Sequence, residues 1–131
     1  MIVIGIVNTN RNLDFTTTTD TTSNNGPNGG GENFTSFLEK ELITYVESHY
    51  SSAPYRILVG HSIGGLLVVN TLLKHPALFN SYVALDPALW WDKMKLNNQS
   101  SKILIENNFK DKNLFLAMAN SMPMGMTDTT Q

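Results

Sequence analysis

The sequence contains no cysteine. This removes disulfide staples, thiolate nucleophiles and thiolate metal sites together, and leaves the redox compartment unmarked. Positive charge is sparse as well. Nine Lys and Arg against eleven Asp and Glu give a net charge of -2, and the basic residues form no cluster, so no field favours nucleic acid or an anionic membrane. Histidine occurs only at 49, 61 and 75. These three are not at ligand spacing and have no carboxylate cluster beside them, so no metal or other cofactor is implied. Long apolar runs are also missing. Met1 to Val7 is too short for a signal h-region and has no basic n-region, so this chain shows no signal peptide or transmembrane segment, and the compartment stays open.

What is present is enough for one core. The 131 residues are 41% hydrophobic and read as a single domain, residues 1–131, with no internal repeat. From Thr16 to Asn33 the composition shifts to Thr, Asn, Gly and Asp with one Pro, and no hydrophobic period survives. This stretch is expected to be a long, mobile surface loop, either a cover over a site or a tolerated polar insertion.

Elsewhere short apolar runs alternate with amphipathic ones. Ile2 to Val7 is continuously apolar and β-branched, which predicts a central parallel strand covered on both faces. Phe34, Phe37, Leu38, Leu42, Tyr45 and Val46 fall at steps of three and four, predicting a helix from Thr35 to Ser48 with Glu39, Lys40 and Glu47 in water. Tyr55 to Val59, Phe79 to Leu85 and Asn113 to Ala119 read as strands. Ile63 to Leu73 reads as a buried helix, with Lys74-His75-Pro76 as its stop signal, and Ser100 to Asn107 as a short helix. The alternation predicts right-handed crossovers and a three-layer α/β fold, a parallel sheet with helices on both faces.

The chemistry concentrates at Gly60-His61-Ser62-Ile63-Gly64-Gly65. A Gly-x-Ser-x-Gly turn between an apolar strand and a helix has the context of a nucleophile elbow: the glycines permit a sharp turn and Ser62 sits at its tip. The helix that follows would set free N–H groups beside any oxyanion formed there. His61 is the variable residue of the turn and is expected to project away from Ser62. His75 ends the elbow helix and His49 the preceding one, so neither can be assigned as a base.

With these elements placed, the chain resembles the esterase family of the α/β-hydrolase superfamily that includes the esterase D-like enzymes and the enterobactin and salmochelin esterases. Val3 to Thr16 is similar to the family's strand and loop ending in an Arg-x-x-Asp-Leu-Thr type signature, with Phe15 in place of Leu. Phe34 to Val46, Tyr55 to Gly65 and Ser81 to Trp91 continue the similarity in order. The resemblance implies a serine hydrolase of small-molecule carboxylic esters, with Ser62 as nucleophile and the Ile63 backbone N–H as an oxyanion-hole donor.

The resemblance also implies what should complete the site. The acid is expected after the last strand, at Asp128, with Asp86 at the end of the preceding strand as the alternative. Trp90 and Trp91 could wall an acyl pocket or anchor a loop on the core. The family's catalytic His falls in a C-terminal loop for which this chain offers no residue, and its other oxyanion donor falls before Met1. The chain is therefore expected to be a fragment with little turnover. Its exposed sheet edge invites self-association. Two other readings stand beside the esterase: a non-catalytic α/β-hydrolase-like module that binds a ligand or protein, and a truncated gene product without activity.

Overall fold

The computed structural model describes residues 1–7, 10–24 and 26–119. Its elements in chain order are α1 (Arg11–Phe15), α2 (Gly31–Phe37), a π-helical segment (Leu38–Ile43), α3 (Thr44–His49), β1 (Ile57–His61), α4 (Ile63–Lys74), β2 (Ser81–Leu85), α5 (Trp91–Glu106) and β3 (Asn113–Ala117). The helix expected at Thr35 to Ser48 is the middle of a continuous helical rod from Gly31 to His49. Its first turn is closed by the Thr35 hydroxyl on the Gly31 carbonyl at 2.9 Å.

The three strands form one parallel sheet in the order β1-β2-β3, with Ile57, Ser81 and Asn113 in register at one end and His61, Leu85 and Ala117 at the other. Strands alternate their side chains between faces. Leu58, Gly60, Tyr82 and Ala84 therefore point to one face, where Tyr82 and Ala84 are fully buried. Helix α4 lies on this face, in contact with β1 and β2, and α1 and α5 pack against it. All nine residues from Gly65 to Leu73 are buried, because α4 has protein on every side and needs no polar stripe. On the opposite face Ile57, Val59 and Phe115 are exposed, so among the described residues helices cover the sheet on one face.

Helix α5 begins well before the expected Ser100. Its N-terminal turn is unusual: Asp92, Lys93 and Met94 have φ of 47°, 56° and 62°, one turn of left-handed backbone that costs non-glycine residues about 1–2 kcal/mol each. The flanking side chains supply the reason. Trp91 and Leu96 are both 5% exposed and both belong to the core, yet five residues on a regular helix separate them by roughly 140°. The left-handed turn re-phases the chain so that both side chains reach the same core.

The predicted strand at Ile2 to Val7 is not formed. Residues 1–7 make no sheet pairing, and Val3 and Val7 are almost fully exposed. Apolar, β-branched composition favours a strand only where a neighbouring strand accepts its backbone hydrogen bonds. Residues 1–6 and β1 instead line a groove of about 800 Å³, walled also by Phe34, Leu38 and Leu42.

The polar stretch before α2 is tied down by its own side chains. Thr16 is fully buried, and its hydroxyl donates to the Asn12 carbonyl and accepts from Gly29 N–H at 2.6 Å. The Asn28 side chain bridges the backbone of Asp20 at both N–H and C=O. Among the described residues no helix is long and apolar enough to cross a membrane.

Candidate active site

The whole change of direction between β1 and α4 falls on one residue. Ser62 has φ 57° and ψ -121°, a conformation with positive φ that non-glycine residues rarely adopt. Its backbone is held on both sides. Ser62 N–H donates to the Leu85 carbonyl at 3.0 Å, and Ser62 C=O accepts from Leu66 N–H and Ala88 N–H, each at 3.0 Å. Its hydroxyl has no partner among the described residues.

The flanking glycines have separate reasons. A Cβ on Gly60 would collide with the Gly64 carbonyl and come within 2.9 Å of Val68 Cγ2, and one on Gly65 would lie 3.0 Å from Pro87 Cα. These close approaches bring α4 down onto β1 and onto the segment after β2. Gly64 is different, since a Cβ there would meet only Phe15 Cδ2 at 4.0 Å. The N–H groups of Ile63, Gly64 and Gly65 open α4 and have no intrahelical acceptor. They stand beside Ser62 at the positive end of the helix dipole.

No imidazole reaches Ser62 by a hydrogen bond among the described residues. His49 Nδ1 contacts the Tyr45 carbonyl at 2.8 Å and the ring stacks on Tyr45. His61 is exposed on the β1 strand and lines the groove. His75 Nε2 lies 2.8 Å from Glu32 Oε2. Glu32 also accepts from Asn70 Nδ2 and Lys74 Nζ, each at 3.1 Å. Burial pushes the Glu32 carboxyl up, but the hydrogen bonds from His75, Asn70 and Lys74 outweigh it and hold the group at about 2. This cluster pins the start of α2 to the end of α4, and sequence patterning gave no sign of it.

The two candidate acids and the two tryptophans separate in the structure. Asp128 lies outside the described residues. Asp86 directly follows β2 with φ 44°; its N–H donates to the Ala117 carbonyl at 2.6 Å and its Oδ1 accepts from Ala119 N–H at 3.2 Å. Trp91 is buried, and its Nε1–H donates to the Thr18 carbonyl at 3.1 Å. Trp90 is 67% exposed. Thr18 is a contact that sequence reading missed; the signal nearest to it is the Arg11-x-x-Asp14-Phe15-Thr16 segment. Among the described residues no three His, Asp or Glu side chains come together to hold a metal.

A parallel sheet, a buried helix springing from a strained serine and a chain order of strand, helix, strand define an α/β-hydrolase fold. The chain belongs to the esterase family, whose family model, described as "Putative esterase", matches residues 1–123. A ferri-bacillibactin esterase, BesA of Bacillus subtilis, is 35% identical over 91 residues, 59% of this chain and 32% of that protein. A siderophore triacetylfusarinine C esterase of Aspergillus fumigatus is 34% identical over 68 residues, 50% of this chain and 23% of that protein. Among solved structures, an IroE-like serine hydrolase from Shewanella oneidensis superposes with a TM-score of 0.75 at 35% identity, covering 83% of this chain and 37% of that one. The chain thus spans about a third or less of the curated relatives it matches.

Proposed function

We propose that this chain carries the nucleophile elbow of a serine esterase, with Ser62 as the attacking residue. The observation that supports it most directly is the φ 57°, ψ -121° backbone of Ser62 at the β1–α4 junction, strain of the kind kept at functional sites. Attack of Ser62 Oγ on an ester carbonyl would form a bond to the carbonyl carbon and place negative charge on the carbonyl oxygen. The Ile63 N–H and the amino end of α4 suit that charge, and collapse of the intermediate would expel the alcohol and leave an acyl-serine for water to cleave. The named relatives are siderophore esterases, so a siderophore-type small-molecule ester is the proposed substrate class.

A working serine needs a base that takes its proton during attack. His49 contacts the Tyr45 carbonyl, His75 contacts Glu32, and His61 makes no hydrogen bond to Ser62 among the described residues, so the 131-residue polypeptide taken by itself is expected to acylate slowly and to turn over hardly at all. Asp128 stays the proposed acid. Of the two tryptophans, exposed Trp90 is the proposed substrate contact and buried Trp91 its support. The outer edge of β1, which pairs with no strand among the described residues, is proposed to drive self-association, and a monodisperse monomer in light scattering would count against it.

A fluorophosphonate probe tests the nucleophile. Slow labelling mapped to Ser62 by mass spectrometry, absent in Ser62→Ala, is expected. No labelling of the folded chain would overturn the assignment. Sustained hydrolysis of a short-chain p-nitrophenyl ester, lost in Ser62→Ala, would overturn the claim that no base is within reach.

A further inference from the structure

The Ser62 turn is held by the segment that follows β2, and that segment is itself held by one side chain. Ser62 N–H bonds to Leu85 and Ser62 C=O to Ala88, each at 3.0 Å. Asp86 sits between these two partners with φ 44°, in the left-handed region. Two bonds fix it to the end of β3: its N–H on the Ala117 carbonyl at 2.6 Å, and its Oδ1 under the Ala119 N–H at 3.2 Å. A residue of that backbone conformation reverses the chain after Leu85, so that the Ala88 N–H comes back to meet the Ser62 carbonyl. Asp and Asn adopt it more readily than other side chains, because a short polar group can hydrogen-bond locally.

We propose that Asp86 is a positioning residue: through its left-handed backbone and its carboxylate bond to Ala119, it sets Leu85 and Ala88 where they clamp Ser62. This role rests on Ser62 being the nucleophile only so far as catalysis is concerned; the clamp itself is a property of the turn. It also separates Asp86 from the role of triad acid. An acid must be ionised to orient an imidazolium, so asparagine cannot replace it, whereas a positioning acceptor works equally well as an amide oxygen.

Three substitutions in the full chain distinguish these roles, read by amide hydrogen exchange at Ser62, Ala88 and Ala119 and by the rate of fluorophosphonate labelling. Asp86→Asn keeps the acceptor and the left-handed preference, and is expected to match wild type in both readouts. Asp86→Ala loses both features, and its Ser62 and Ala88 amides should exchange roughly tenfold faster, with labelling slowed by a similar factor. Asp86→Gly keeps the backbone freedom alone, so its Ala119 amide should be released first. Should Asp86→Ala fail to fold, the Asn and Gly variants still decide the matter by the same three amides.

Unchanged exchange at Ser62 and Ala88 in a folded Asp86→Ala, or unchanged exchange at Ala119 in Asp86→Gly, overturns the proposal. Exchange or labelling in Asp86→Asn that changes as far as in Asp86→Ala also overturns it, because the amide oxygen supplies the same acceptor and the same left-handed preference. If wild type is never labelled while exchange follows the expected pattern, the nucleophile reading fails and the clamp stands.

Discussion

Gly60 and Gly64 are equivalent in the Gly-x-Ser-x-Gly pattern, and the structure predicts opposite outcomes for Gly60→Ala and Gly64→Ala. Gly60 faces α4 from β1, in register with fully buried Ala84, and its added Cβ would lie 2.5 Å from the Gly64 carbonyl carbon and 2.9 Å from Val68 Cγ2. The Gly64 carbonyl is backbone in the first turn of α4 and cannot rotate aside, so the helix start must lift from the strand. Overpacking of this kind costs about 1–3 kcal/mol, with more where backbone must move. Lifting α4 also strains the Ser62 bonds, each contributing about 1 kcal/mol. A total near 3–4 kcal/mol is a large part of the 5–15 kcal/mol of a typical domain. The melting temperature should fall by roughly 10–15 °C.

Gly64→Ala finds open space, with only Phe15 Cδ2 at 4.0 Å, and it lies inside a helix. It should be neutral or stabilising by up to about 1 kcal/mol. Thermal and urea unfolding followed by circular dichroism measure both. The reasoning is refuted if Gly60→Ala stays within about 0.5 kcal/mol of wild type, or if Gly64→Ala is as damaging as Gly60→Ala.

Other outcomes follow from the same geometry. The Glu32 carboxyl is held at about 2, below its ordinary value of 4.5, so its contribution is complete above about pH 4.5 and is lost as pH falls toward 2. With 45% of its side chain exposed, that contribution should stay below about 1 kcal/mol, and Glu32→Gln should flatten the acid limb of a melting-temperature profile over that window. Trp91→Phe should cost about 2 kcal/mol through the lost bond to Thr18 and the unfilled volume, whereas Trp90→Phe should be silent in unfolding. Ser62→Gly should raise stability by about 1 kcal/mol by relieving the positive φ, while Ser62→Ala should not, and both should abolish phosphonate labelling.

The sequence carried the local elements well. Period and punctuation placed α4 to within a residue at each end, since glycines and Lys74-His75-Pro76 bracket it, and located β2 and β3 to within two residues. The Gly60 to Gly65 turn was legible because strand, glycines and helix are contiguous in the chain. Misreadings arose where the deciding contact is distant. Ile2 to Val7 has strand composition but no strand partner. The start of α5 depends on Trp91 and Leu96 reaching one core, which no local period shows. Two adjacent tryptophans look alike in sequence, yet one is buried under Thr18 and the other lies in water.

What the amino-acid order determined by itself was the esterase family resemblance, the parallel α/β pattern and Ser62 at the strand-to-helix turn, because each rests on short local motifs and periods and on their order along the chain. Tertiary structure alone decided which glycines are indispensable, which tryptophan is core, and what Asp86 touches. Those properties depend on close approaches between β1 and α4, on Thr18 meeting a side chain seventy-three residues away, and on Asp86 meeting the end of a strand thirty-three residues on, distances that only folding closes.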